Sequence, residues 1–188
     1  FKFFPKITNT VSHFRRLINV TDVVTDYATS VLNFGDQLGM VFLQLHDNFK
    51  PKDFERVEKF VKDWPKEVPL AIEVRSAEWF EEENFEKFSQ LLEENNIANI
   101  IVDTAGRRDM LHMRLTSDTA FVRYVGANAD SDYARLDDWL ERIKLWKEEG
   151  LKNLYFFVHQ NVELASPLLS AYFIEKINEA FGTEIHVP

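Results

Sequence analysis

Within Pro69–Phe80, PLAIEVRSAEWF, an acid and a base, Glu73 and Arg75, stand two residues apart in an otherwise apolar run. In an extended segment that spacing puts both on one face. Leaving either charge buried and unpaired would cost several kcal/mol, so the pair must meet partners on that face. Other short apolar runs end in the same way, with Lys6 and Thr8, Gln44 and His46, Asp103, Arg123, and His159 with Asn161. Such a set suits an anion. Lys6, Arg75 and Arg123 would bind phosphate or carboxylate oxygens, which guanidinium forks match well, with Gln44 and Asn161 as further hydrogen-bonding groups. Glu73 or Asp103 would serve as general base and His159 as general acid. The chemistry implied is hydrolysis, or a related reaction, of a phosphorylated or otherwise anionic substrate.

Two other readings use the same residues. One is a noncatalytic module that captures an anionic metabolite or nucleic acid. The other is an interaction protein in which Glu73, Arg75, Asp103 and Arg123 form a structural ion-pair network. His46, Asp47, Glu73, Asp103 and His159 are also ligand types for zinc or manganese. No compact spacing such as HExxH occurs, however, and the arginines would neutralise the carboxylates, so no metal site is assigned. The sequence names no cofactor, and it contains neither GxGxxG nor GxxxxGK[ST].

The elements that must position these residues are short. Strands are expected over 1–8, 40–45, 70–75, 97–103, 120–125 and 153–159, each aromatic or β-branched and mostly apolar on both faces. Helical faces lie between them: Phe54, Val57, Val61 and Trp64; Phe85, Phe88, Leu91 and Leu92; Leu136, Trp139, Ile143 and Trp146; Leu168, Leu169, Tyr172, Phe173 and Ile177. A less sharply patterned helix falls near 21–34. Ser166 is placed as an N-cap with Pro167 opening the last helix, a helix start that could hold an anion. The segment 104–119 is the longest connection without a clear helix, and from it Arg107, Arg108 and Arg114 would close on an anion, with His112 as acid or base. Trp79, just past a strand end, is placed to wall the site.

Alternating strands and helices predict a parallel sheet covered by helices. An eight-unit barrel takes about 31 residues per β/α unit, so 188 residues hold about six. The expected fold class is therefore α/β, a TIM-barrel-like parallel (β/α) fold in a single domain, comprising the last six of eight units with two lying upstream. An open doubly wound sheet is the alternative. Substrates would then meet the C-terminal strand ends.

Composition narrows the function classes. A net charge of −9 opposes nonspecific attraction to nucleic acid or an anionic membrane, although a local basic pocket survives such a balance. With no cysteine there is no disulfide framework, thiolate nucleophile or cysteine-held cluster. No run approaches the roughly 20 apolar residues of a bilayer span, and the expected setting is cytoplasmic, with no membrane partner.

Certain stretches also resemble a known family. FKFFPKIT followed by His13 and Leu17, GMVFLQLHDNF at 39–49, IEVRSAEWF at 72–80, FVRYVG at 121–126, Tyr133, Trp139, Trp146 and LYFFVHQN at 154–161 are similar, in order and spacing, to the YecE-like proteins, also called domain of unknown function 72. The chain departs from the commoner pattern at His46-Asp47, where Pro-Pro is usual, at Ser76, where a His often stands, and at His159-Gln160-Asn161, where Asn-Asn-Asp is frequent. The resemblance implies a TIM-barrel-like fold with two preceding β/α units, and implies no particular reaction.

Overall fold

The computed structural model describes residues 1–188. In chain order it contains α1 (Thr21–Leu32), β1 (Val41–Gln44), α2 (Phe54–Asp63), β2 (Leu70–Glu73), α3 (Glu82–Glu94), β3 (Ala98–Thr104), β4 (Thr119–Gly126), α4 (Ser131–Glu148), β5 (Asn153–Gln160) and α5 (Ser166–Phe181). The five strands form a parallel sheet in sequential order, β1-β2-β3-β4-β5. By contacts the chain divides into two compact units, residues 1–101 with 112–117, and residues 102–111 with 118–188. No helix is long and apolar enough to cross a membrane.

The expected first strand is replaced by two isolated parallel bridges, Phe3 to Leu38 and Lys6 to Phe42. Pro5 lies between them and has no N–H to donate, so the ladder breaks there although Pro5 O still accepts from Phe42 N at 3.0 Å and Ile7 N donates to Phe42 O at 2.9 Å. Gly39 N donates to Phe3 O at 2.8 Å. A Cβ at Gly39 would sit 2.6 Å from the Phe4 ring, so the Phe4 side chain occupies the space that glycine leaves open.

In the first unit Leu43, Leu45, Ile72 and Val74 pack in one core cluster with Val57, Phe60 and Val61 of α2 and Val24, Ala28 and Val31 of α1. The period of two therefore turns Gln44, Glu73 and Arg75 to the other face. Helix α2 stops at Trp64, which is extended (φ −67°, ψ 135°) because the following Pro65 disfavours a helical backbone. Helix α3 opens on Glu82 and Glu83, carboxylates that complement the helix dipole. Trp79 does not wall the site: it is fully buried, donates Nε1 to Phe49 O at 2.8 Å and packs against Phe88 at 5.4 Å between centroids.

In the second unit β4 and β5 pair in parallel from Thr119 opposite Asn153 to Gly126 opposite Gln160. One face is covered by helices. Phe156 meets Trp139 of α4 at 5.5 Å and Phe173 of α5 at 4.6 Å, and Trp146 stands 5.9 Å from Trp139. On the opposite face Phe121 stacks on Phe157 at 4.8 Å. Ser166 does not cap α5 with its side chain; it stands at the start of the helix, and its hydroxyl accepts from Gln160 N at 3.0 Å. The hydroxyl thus ties the strand end to the helix start.

Gly126 marks a close approach at the end of β4. A Cβ there would overlap the Gln160 carboxamide oxygen and come within 2.8 Å of Asp132 Oδ2. That carboxamide oxygen accepts from Asn128 N at 3.0 Å. Gly126→Ala is expected to cost about 1–3 kcal/mol by overpacking, seen as a lower urea midpoint at unchanged m-value, whereas an unchanged midpoint would show that Gln160 moves aside freely.

Candidate functional site

The first unit gathers a chain of polar groups on the sheet face away from its core. Gln44 and Glu73, last residues of β1 and β2, lie directly opposite each other in the ladder. Lys6 Nζ donates to Gln44 Oε1 at 2.8 Å, and Gln44 Nε2 donates to Glu73 Oε1 at 2.8 Å. Arg75 Nε lies 3.7 Å from the same Glu73 oxygen and 2.9 Å from Asp47 Oδ1. Glu73 is only 1% exposed, and this relay supplies the partners that its burial demands. Both terminal nitrogens of Arg75 and the remaining protons on Lys6 Nζ carry no protein partner.

Two imidazoles flank the chain. His46 Nδ1 accepts from Asn48 N at 3.1 Å, so the proton of the neutral ring lies on Nε2. His13 packs edge-on to His46, with centroids 5.1 Å apart, and its Nδ1 is 2.7 Å from the buried Ser12 hydroxyl. His13 rides on a π-helical turn, Thr10–Phe14, a backbone form that favours functional positions. Immediately after it Arg16, Leu17 and Asn19 hold positive φ (48°, 63° and 50°), which is uncommon outside glycine. The turn is held against its neighbours: Arg16 reaches Asn48 and Asp53 and lies over the Phe49 ring, while Arg15 Nη1 donates to Asn19 O and Asp22, each at 2.7 Å. Burial lowers the His13 pKa below the ordinary imidazole value. The charges of His46, Lys6 and Arg75 lower it further, against Asp47.

The second unit holds its own cluster on the helix-covered face. Asp103, 2% exposed, accepts from Arg135 Nη2 at 2.6 Å and from Trp139 Nε1 at 2.8 Å, with Arg108 at 3.6 Å. Arg135 also pairs with Asp132 at 3.3 Å and lies 4.4 Å over the Tyr124 ring. Asp132 takes backbone N–H bonds from Ala127 and Ala129 at 2.9 and 3.0 Å. Burial pushes its pKa up, but these bonds, the Gln160 side chain and Arg135 together hold it below the usual value.

Residues 1–186 match the family model described as "Protein of unknown function DUF72". The chain belongs to the DUF72 family. It is 25% identical over 179 residues to UPF0759 protein YecE of Escherichia coli K12, and the aligned region is 85% of this chain and 65% of YecE. This DUF72 chain thus spans less than two thirds of that curated relative. The crystal structure of a DUF72 family protein from Thermotoga maritima MSB8 superposes with a TM-score of 0.76 at 22% identity, over 95% of this chain and 74% of that one. A DUF72 family protein from Enterococcus faecalis V583 gives 0.77 at 16% identity, over 95% and 78%. Both likenesses show the α/β fold.

Of the residues picked from sequence, the DUF72 fold brings Lys6, Gln44, Glu73 and Arg75 into one connected group. Asp103 and Arg108 meet in the second unit, with Asp103 turned to α4. Arg123 stands opposite Phe157 and His159 opposite Val125, so these two share the face on which Phe121 stacks. Asn161 follows β5, its N–H reaching Gly126 O at 3.3 Å. Arg107 pairs with Asp109 at 3.1 Å, and Arg114 is tied to Glu86 and Glu93 of α3. His112 packs between Phe80 and Phe85 at 5.9 and 4.7 Å, with Nδ1 unpartnered. Sequence reasoning did not single out His13, Ser12, Asp132 or Arg135 as site residues. The four-residue spacing of Arg135 and Trp139 on α4 was the available signal for the Asp103 partners.

Proposed function

We propose that the polar strand ends of the first unit form a binding site for the oxyanion of a phosphorylated or other anionic small molecule, and that the protein acts on that ligand as a hydrolase or related enzyme. The observation that carries the reading is the arrangement of Lys6 and Arg75. Both are held on one face through the buried Gln44–Glu73 pair, with several of their N–H groups left without protein partners. Guanidinium and ammonium groups so fixed bind phosphate or carboxylate without further ordering cost. Two imidazoles and a buried carboxylate beside them are the group types that move protons. In this proposal the five-stranded parallel sheet is part of a TIM-barrel-like fold, whose sites lie at the C-terminal strand ends. Glu73 is the base, and Asp103 serves its own unit structurally, both of its oxygens being engaged.

A noncatalytic binding module is favoured by one observation: Glu73 is buried and hydrogen-bonded as a fixed network member would be. The two readings separate by mutation. Lys6→Ala and Arg75→Ala are each expected to weaken inorganic phosphate binding about tenfold or more, since a hydrogen bond to a charged group contributes about 1.5–3 kcal/mol. Glu73→Gln is expected to retain phosphate binding and to abolish turnover in a phosphoester panel. Unchanged phosphate affinity in both cation variants would overturn the oxyanion site, and binding without turnover in the wild type would favour the module.

A further inference from the structure

We propose that His13 is the proton-linked member of this site, taking up a proton when an anion settles against Lys6 and Arg75. The inference rests on the oxyanion reading and adds to it a residue and a linkage. Its basis is the seat of the ring. His13 Nδ1 is anchored at 2.7 Å to Ser12 Oγ, and Nε2 carries no protein partner. The charged and titratable groups facing the ring are His46, Lys6, Arg75 and Asp47. Three of the four are cationic or able to become so, and their field opposes a further positive charge on His13.

A bound oxyanion reverses that balance. It offsets the charges of Lys6 and Arg75 and offers an acceptor to Nε2–H, so the protonated ring becomes the favoured form. Ser12 fits this change because a hydroxyl both donates and accepts. To the neutral ring it donates its proton to Nδ1. Once Nδ1 is protonated, the hydroxyl accepts from it and turns its own proton toward Thr8 O, 3.5 Å away. A carboxylate at position 12 could only accept, and would hold the ring charged in both states. The π-helical turn and the positive-φ residues behind it fix where the imidazole stands. Ser12 is therefore a positioning residue and His13 the group that meets the ligand.

The reciprocity of binding and protonation supplies the test. Sulfate is the probe, because it stays dianionic from pH 5.5 to pH 8 and any pH dependence belongs to the protein. A rise of about one unit in the His13 pKa on binding corresponds to at most about tenfold tighter sulfate binding, reached only well below the pKa of the free protein. The measurement is sulfate titration of the wild type by NMR at pH 5.5 and pH 8, with the His13 ring pKa followed with and without saturating sulfate. The expected result is an upward shift of that pKa and tighter sulfate binding at pH 5.5 than at pH 8, by up to about tenfold. Both vanish in His13→Gln, whereas His46→Gln keeps the dependence. In Ser12→Ala the nitrogen shifts of His13 are expected to report a tautomer mixture in place of one form. Sulfate binding with no pH dependence, or a dependence that survives in His13→Gln, would overturn the linkage and leave the oxyanion site standing. No sulfate binding at either pH would overturn both.

Discussion

Exchange of Asp103 for alanine is expected to destabilise the protein by about 3–5 kcal/mol, as removal of one partner from a buried ion pair does. The carboxylate is 2% exposed and receives the Arg135 guanidinium and the Trp139 indole N–H on separate oxygens. Without it the indole donor loses its partner, and Arg135, whose Nε already has none, keeps only Asp132, the backbone carbonyl of residue 103 and the Tyr124 ring. Asp103→Asn keeps the shape and one acceptor, so its loss should be smaller. Urea denaturation at constant m-value measures both. A loss below about 1 kcal/mol in the alanine variant would show that Asp103 does not anchor its unit.

Acid should weaken the fold through His112. Burial between Phe80 and Phe85 pushes its pKa down to about 4, only partly opposed by backbone groups of Ile100 and Arg114. The unfolded ring binds its proton near 6.5 and the folded ring near 4. Between those values the unfolded state holds more protons, so stability rises with pH across the window and falls as acid is added. At about 1.4 kcal/mol per pKa unit, the loss attributable to this ring approaches about 3 kcal/mol by pH 4. His112→Gln cannot titrate and should lose that much less between pH 7 and pH 4. Equal losses in wild type and variant would assign the acid sensitivity elsewhere.

The contrast between these residues and the Glu73–Arg75 pair shows what the sequence makes legible. Parity alone placed Glu73 and Arg75 together, because Leu70, Ile72 and Val74, which join the core, alternate with Ala71, Glu73 and Arg75 along β2 and just past its end. Strand β3 carries Ile, Ala or Val on both faces, with Asn99 its one other polar residue before Asp103, so IANIIVD commits neither face to the core and leaves open which way its final aspartate turns. The structure turns it to α4. His112 sits in a segment whose polarity suggested an exposed loop, and only tertiary packing reveals the aromatic slot that receives it. His13 was hidden for a different reason: its position depends on a π-helical turn and on left-handed non-glycine residues, neither of which has a local sequence signature. The helices were readable because their apolar faces repeat at helical spacing, whereas the first strand failed at Pro5, where backbone chemistry overrode an apolar pattern.

The Phe4 ring lies where a side chain at residue 39 would be, two positions before the lysine of the site. That arrangement ties the evolutionary freedom of the two positions together. Any lineage that altered the reach of Lys6 by reshaping the opening segment would first have to release an aromatic lock whose keyhole is a single hydrogen atom. A larger side chain at 39 would then call for a smaller one at 4.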